Sequence, residues 1–261
     1  MTRDNYRGAA RGWADGAALV YAPIAAQLVG RAPDSLEGAR VLDVGAGTGA
    51  CEKPLRAAGV AMIVGIDLSH DMLAWNGGER PPAVVADVMH MPFPDGRFDA
   101  TVASFVLNHV ADPVRGLVEL SRVVRSGAVV LATTFANDSH SANRDTVDDI
   151  ARSRGWSPPA WYDDLKTNVM PLLGAAASMR AAAIAAGLVD IQVHEDDVDV
   201  GIAEPGALVD YRFGQAPFAD WLAGMSASTR CAVRTDAVDA LAGVMEPYRP
   251  RVVFLIARTS A

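Results

Sequence analysis

Cysteine is scarce: Cys51 and Cys231 are the two that the 261 residues contain, far apart and in no C-x-x-C pair. A structural zinc site therefore lacks ligands of the usual spacing, and nothing in the pattern implies an oxidising compartment. Lysine is equally scarce, with Lys53 and Lys166 alone, so arginine carries nearly all the positive charge. The formal net charge is −8 and there is no Lys/Arg run, which removes the electrostatic footprint of a nucleic-acid binder. No apolar run approaches membrane-spanning length, and the first residues, MTRDNYRGAARGW, carry no apolar signal core. The expectation is a soluble cytoplasmic protein, monomer or homodimer, with neither nucleic acid nor membrane as partner. What is present is 51% hydrophobic and 21% charged residues, enough for one well-packed α/β domain with an added lobe.

The informative stretch is Val41–Gly49, VLDVGAGTG. Val41, Leu42 and Val44 read as the end of a buried strand, and Gly45-Ala46-Gly47-Thr48-Gly49 as a tight turn opening a helix. Glycines there allow positive φ and let a ligand press against main-chain N–H groups. Gly45, Gly47 and Ala50 also satisfy the relaxed dinucleotide fingerprint, G-x-G-x-x-G/A. Asp43 speaks against that reading, because it would set a carboxylate near the pyrophosphate of NAD. The ammonium and sulfonium of S-adenosylmethionine suit it instead. Two more apolar runs end in acids at even intervals: Val64-Gly65-Ile66-Asp67, twenty residues after Gly47, and Val84-Val85-Ala86-Asp87, twenty further on. An acid at the second strand end of a βαβ unit is placed to accept ribose hydroxyls, and one at the third suits the exocyclic amine of adenine.

With Asp43 before the turn, the loop resembles the first motif of the class I S-adenosylmethionine-dependent methyltransferases. The likeness runs from about residue 35 to the end, and the loop Met91–Asp99 is typical of the class. It is strongest to the small-molecule branch that includes ubiquinone/menaquinone-biosynthesis and bacterial natural-product enzymes. The abundance of Ala and of Arg over Lys fits a GC-rich bacterial genome. The resemblance implies a doubly wound Rossmann-like α/β sheet, mostly parallel with an antiparallel last strand, plus a helical or irregular lid lobe. It implies that Gly45, Ala46, Gly47 and Gly49 hold the methionine moiety with Asp43 beside them. Asp67 would take the ribose with Leu68 and Met72 nearby, and Asp87 with the Val88 amide the adenine. Ser104 and Phe105 would flank the methionine part, and Tyr6 would reach its carboxylate. S-adenosyl-L-homocysteine would be the spent cofactor. Arg125-Ser126-Gly127 departs from the usual Pro-Gly-Gly, at a turn on the opposite sheet edge.

Strand–helix alternation supports a cofactor core over 35–135. Asp112-Pro113 reads as a helix N-cap and first turn, and Ser69 with Asp71 as another helix start. Residues 1–34 read as lid helices, with Pro23 marking a kink or break. The rhythm fails over 136–174, resumes as core over 175–202, fails again over 203–247, and returns for a last strand within 248–261. Both insertions leave the sheet at the edge where ligands bind, so they are expected to roof the cofactor and take the acceptor. Gly8, Gly12, Gly16 and Gly155, beside Trp13, Tyr21, Trp156 and Trp161, read as joints of a closing lid.

The expected activity is methyl transfer to a small, partly apolar metabolite at O, N or C. Such transfer is largely positioning, and a base is needed only for some acceptors. His109, after the fourth strand, and His140, after the fifth, are the candidate bases. Against these stand bland readings: His109 packing on the adenine or capping a helix, His140 exposed on a loop. Trp13, Tyr21, Asn108, Trp161, Tyr162, Tyr211 and Phe213 are the acceptor-side candidates, although aromatic stripes more often form core. Cys51 reads as a packed small residue, and no coherent metal cluster is evident. The alternatives are a non-methylating cofactor-binding enzyme or scaffold of the same fold and an NAD-dependent oxidoreductase. Nucleic-acid base methylation is disfavoured because Ser104–Val110 reads SFVLNHV, unlike an N-P-P-Y motif, and protein methylation because the lid is rich in apolar aromatics.

Overall fold

A computed structural model describes residues 4–76, 78 and 80–261; the first three residues of the expected lid segment lie outside the described residues. Among the described residues seven strands form one sheet: β1 (Arg40–Val44), β2 (Met62–Asp67), β3 (Ala83–Val85), β4 (Phe98–Ser104), β5 (Val124–Phe135), β6 (Val189–Asp197) and β7 (Arg251–Arg258). Their order is β3-β2-β1-β4-β5-β7-β6, parallel from β3 to β5, with β7 antiparallel to both neighbours. The chain reverses direction across the sheet between β1 and β4. The loops leaving these two strands diverge there and open a crevice, as in other doubly wound sheets.

In the central strands β1, β4, β5 and β7 the apolar runs are continuous because both sheet faces are covered there. In β7, Val252, Phe254 and Ile256 enter one cluster with Val20, Ile24 and Leu28. Val253, Leu255 and Ala257 enter the other, with Leu117, Leu120 and Met179. The helices on the first face are α1 (Ala10–Gly12), a π-helical turn Trp13–Ala17, α2 (Ala18–Gly30) and α3 (Glu52–Ala57). After β2 come α4 (His70–Ala74) and, against the second face, α5 (Pro113–Arg122). The Asp112 carboxylate caps α5 by accepting from the Arg115 amide at 3.0 Å, with Pro113 in the first turn. The upper lobe comprises α6 (Ala142–Ser153), α7 (Ala160–Asp164), α9 (Pro205–Phe213), α10 (Ala216–Ala223) and α11 (Ala227–Leu241), while α8 (Ala176–Ala185) belongs to the sheet. Among the described residues no single helix is long and apolar enough to cross a membrane.

Four local expectations are corrected. Helix α2 runs through Pro23 without a break, and the irregularity lies earlier, in the π-helical turn. Gly16 sits in that turn at a backbone crossing: a Cβ there would stand 2.0 Å from the Asp210 carbonyl oxygen, and one on Gly214 would stand 2.3 Å from that of Gly12. Gly12 and Gly16 are therefore close-contact positions rather than lid joints. Ser69 precedes α4 without capping it; its hydroxyl donates to Asp4 at 3.0 Å, and Asp71 accepts from the Gly8 amide at 3.0 Å. Both acids and the serine tie the N-terminal segment down beside the end of β2. Trp156, expected on a closing surface, is 3% exposed and stacked on Phe218 at 4.1 Å.

The crossing at Gly16 yields a stability prediction. Gly16→Ala must separate two backbones and should destabilise the fold by about 1–3 kcal/mol, the range for overpacking. Gly30→Ala, with no neighbour within 4 Å, should leave stability unchanged or raise it by up to ~1 kcal/mol. Denaturant unfolding of the two variants checks the contrast.

Candidate active site

The glycine turn follows β1 because the chain must reverse there without side chains. Gly45, Gly47 and Gly49 have φ of 70°, 50° and 103°, a region disfavoured for residues with a Cβ. At Gly45 a Cβ would also lie 2.6 Å from the Cβ of Val106, on the loop after β4. Beneath the turn, Asp67 at the end of β2 accepts from the Gly47 amide at 2.9 Å and the Ser69 amide at 2.8 Å. A carboxylate has about four lone-pair sites, so two amides leave acceptor capacity toward the cleft. Burial raises the Asp67 carboxyl above its ordinary range, against those two amides and Arg80, which lower it.

At the end of β4, Phe105 adopts φ 59°. A bulky residue there carries strain of about 1–3 kcal/mol, of the kind concentrated at functional sites. Its ring packs on Phe135 and Tyr21 at centroid distances of 4.4 and 4.9 Å. The preceding Ser104 Oγ is buried and has no hydrogen-bond partner among the described residues.

Two cavities lie over these strand ends. The first, about 290 Å³, is lined by Tyr6, Gly45, Ala46, Gly47, Asp67, Leu68, Met72, Asp87, Val88, Ser104 and Phe105. Asp43 and Gly49 do not line it. Gly49 lies at the far end of the turn, and Asp43 is 1% exposed below the turn. No hydrogen-bond partner within ordinary distance reaches either Asp43 oxygen among the described residues. Burial pushes the Asp43 carboxyl up to about 7, with the Cys51 thiol and Arg80 working the other way and Glu52 and Asp67 reinforcing it. Cys51 itself is buried. Asp87 accepts from the Met89 amide at 2.9 Å.

The second cavity, about 540 Å³, adjoins the first and shares Tyr6, Trp13, Tyr21, His109, Trp161 and Leu165 with it. Trp13, Tyr21 and Trp161 thus face both cavities, while Asn108, Tyr162 and Tyr211 face only the second. Phe213 faces neither. It packs against Phe218 and Trp221 in a satellite apolar cluster, because the α9 positions that point inward are Tyr211 and Arg212.

The two histidines differ sharply. His109 stands at the junction of the cavities, its Nε2 3.4 Å from the Tyr6 hydroxyl. Burial lowers it to about 4, so the imidazole is neutral throughout the physiological range. Burial also raises the Tyr6 phenol well above its ordinary value. His140 lies on the rim of the second cavity, with a side chain 75% exposed and 3.0 Å from Asp145.

Arg80 is a residue that sequence reasoning missed. Its side chain is 7% exposed and pairs with Glu52 at 2.6 Å. Nη1 donates toward the carbonyls of Gly47 at 2.7 Å, Met72 at 3.0 Å and Leu73 at 3.2 Å. One guanidinium thus joins the glycine turn, α3 and α4. It lies in an irregular stretch thirty-odd residues from the turn, and no motif announces it. Arg144, on the second cavity, was missed for the same reason. Among the described residues no group of three or more His, Cys, Asp or Glu is arranged to hold a metal ion.

Residues 42–132 match the methyltransferase domain model. This segment is similar to the domains of class I, S-adenosylmethionine-dependent methyltransferases. Among curated proteins, 111 residues are 39% identical to a demethylmenaquinone methyltransferase of Clavibacter sepedonicus, covering 41% of this chain and 45% of that one. Another from Renibacterium salmoninarum is 36% identical over 113 residues, 42% and 47% of the respective chains. The match therefore spans about half the length of these relatives. Among solved structures, a methyltransferase in complex with the Haloferax volcanii Trm112 activator aligns over 100% of both chains, with TM-score 0.63 and 17% identity. Haemonchus contortus phosphoethanolamine N-methyltransferase 2 aligns over 91% of this chain and 52% of its own, with TM-score 0.59 and 18% identity. The [4+2]-cyclase SpnF aligns over 92% and 81%, with TM-score 0.55 and 21% identity. These three likenesses concern the fold alone.

Removing Arg80 tests its part in shaping the turn. Arg80→Gln leaves the half-enclosed Glu52 carboxylate unpaired and should destabilise the chain by about 3 kcal/mol. It should also speed hydrogen exchange at the Gly47–Gly49 amides relative to the rest of the sheet. Unchanged exchange at the turn would mean that the loop holds its shape without the guanidinium.

Proposed function

We propose that this chain is a methyltransferase that uses S-adenosylmethionine to methylate a small, partly apolar metabolite of the kind found in bacterial quinone or natural-product pathways. The observation that carries the reading is the polar floor of the first cavity. Asp67 holds the glycine turn by one amide and keeps acceptor capacity, Ser104 presents a buried oxygen without a partner among the described residues, and the Asp43 carboxyl lies buried behind the turn. That donor and acceptor set fits the ribose and the aminoacyl end of the cofactor better than a pyrophosphate, which would bring two further negative charges toward Asp43.

In this reading the Gly45–Thr48 amides hold the aminoacyl end, with Tyr6 over it and the Asp43 charge acting from beneath the turn. Asp67 accepts from the ribose hydroxyls, Asp87 and the Val88 amide read the adenine, and Leu68 and Met72 pack beside it. The bound cofactor supplies an electrophilic methyl on a sulfonium. Ser104, Phe105 and the aromatic rim exclude water from the junction where the two cavities meet. Trp13, Tyr21 and Trp161 orient the acceptor toward that junction, which supplies most of the acceleration that positioning can give. His109 is kept neutral and accepts a hydrogen bond from an acceptor hydroxyl or amine, but it is a weak proton sink at neutral pH. His140, exposed and beside Asp145, is the second group available to take a proton at the cavity rim.

Calorimetry is the direct test. The protein should bind S-adenosylmethionine and S-adenosylhomocysteine and show no measurable affinity for NAD(H). Asp67→Ala should weaken S-adenosylhomocysteine binding by about 1.5–3 kcal/mol, the range for hydrogen bonds to a charged group. NAD binding as tight as that of S-adenosylhomocysteine would overturn the reading.

The raised Asp43 carboxyl adds a pH signature. Its folded value near 7 lies above the ordinary 3.8, so the folded state binds the extra proton, and stability falls as pH rises from about 4 to 7. A cofactor ammonium favours the ionised form, so cofactor affinity should rise over the same interval. Asp43→Asn should flatten most of both dependences, leaving a residual slope from Asp67. Chemical denaturation and calorimetry at several pH values check the two slopes; parallel profiles for variant and wild type would remove Asp43 from the account.

A further inference from the structure

The upper lobe contains two enclosed arginines with opposite surroundings. Arg212 on α9 is 0% exposed and fully compensated: Nε and Nη2 donate to the two Asp148 oxygens at 2.6 and 2.8 Å, and Nη1 donates to the Gln215 side chain. Arg144, in the first turn of α6, has no carboxylate within ion-pair distance among the described residues. Its one side-chain hydrogen bond is from Nη1 to the neutral Tyr248 hydroxyl at 3.3 Å, and its Nε is buried without a partner. Arg144 nevertheless lines the second cavity. Enclosing a guanidinium costs several kcal/mol, more than one long neutral hydrogen bond offsets. A charge held this way beside an open cavity lacks its counter-ion.

The rest of the cavity points the same way. The Tyr211 hydroxyl, also on the lining, is a second buried donor without a partner. Lys166 lines the wall and makes no ion pair among the described residues, its ammonium lying 5.5 Å from the Tyr162 ring centroid. The lining carboxylate Asp145 is already engaged by His140. Burial pushes the Tyr162 phenol up, yet Arg212, Lys166 and Arg144 together bring it below its ordinary value. The local potential is therefore positive inside a chain whose net charge is −8. The N-terminus of α6, a twelve-residue helix, opens beside the same wall and adds to it. Toward His109 the lining turns aromatic.

We propose that the second cavity takes its acceptor as an anion, with Arg144 binding a carboxylate or phosphate carried on an apolar body. The inference rests on the methyltransferase reading, since it names the acceptor class of that site. Tyr211 donates to the same negative group, Lys166 supplies longer-range attraction, and the apolar body extends along Trp13 and Trp161 toward His109.

The test uses the full chain and four probes: benzoate, phenyl phosphate, the neutral benzamide, and S-adenosylhomocysteine. At least one of the two anions should bind, with benzamide about tenfold weaker or worse, and the preferred anion identifies the headgroup. Arg144→Met should weaken anion binding by about ten- to hundredfold, the factor expected for a hydrogen bond to a charged group. Benzamide and S-adenosylhomocysteine affinities should not move. Arg144→Lys, which keeps the charge and loses the fork, should fall between the two and serves if the methionine variant does not fold. Benzamide binding as well as the anions, no anion binding at all, or anion binding unmoved in Arg144→Met would each overturn the proposal. Loss of S-adenosylhomocysteine binding in the wild-type chain with the anion preference intact would overturn the methyltransferase reading instead.

Discussion

The Asp67 carboxylate is the constraint on which the site depends. It ends β2, accepts the amide of Gly47 from the turn after β1, and accepts the amide of Ser69 at the start of α4. Two adjacent parallel strands are thereby locked at the level where their loops diverge. Arg80 completes the lock from the other side by drawing the Gly47 carbonyl toward Glu52 and α4. The turn is held through both its N–H and its C=O groups, so its remaining donors have a fixed direction before any ligand arrives. Such preorganisation lowers the ordering cost of binding.

The N-terminal segment depends on the same strand end. Asp4 reaches Ser69 and the Gly8 amide reaches Asp71, which lays Tyr6 across the mouth of the first cavity and against His109. Farther along, the π-helical turn seats Trp13 on Tyr21 at 4.7 Å, with the rings nearly parallel. Gly16 lets this segment touch the end of α9 backbone to backbone, so the wall between the two cavities is built by packing rather than by loop conformation. The lobe above is polar inside, around Arg212 and Asp148. Its charges are balanced there and left unbalanced at Arg144, where the cavity opens.

Much of the lower half was legible in the sequence. The alternating apolar runs, the Asp-containing glycine turn and the evenly spaced Asp67 and Asp87 express local rules: burial on both sheet faces, positive φ at a tight turn, acids at strand ends. Pro113 and Asp112 acted as the capping rule requires. Phe213 failed as an acceptor-side residue because helical neighbours face different ways, and only the seating of α9 chooses which side meets the cavity. Gly12 and Gly16 were read as joints because glycine is permissive, whereas packing used their missing side chains for contact.

By itself, then, the sequence determined the doubly wound sheet, the strand ends that converge and the acids that stand on them. Those features follow from periodicity and turn chemistry within about twenty residues of chain. Tertiary structure alone decided that Arg80 grips the turn, that His109 is buried and neutral while His140 is exposed, and that Arg212 has a counter-ion while Arg144 has none among the described residues. Compensation of a charge is a property of what lies within a few ångströms, and Asp148 and Arg212 are sixty-four residues apart. No local pattern records such a pairing or its absence, because both are set when the insertions fold back over the sheet.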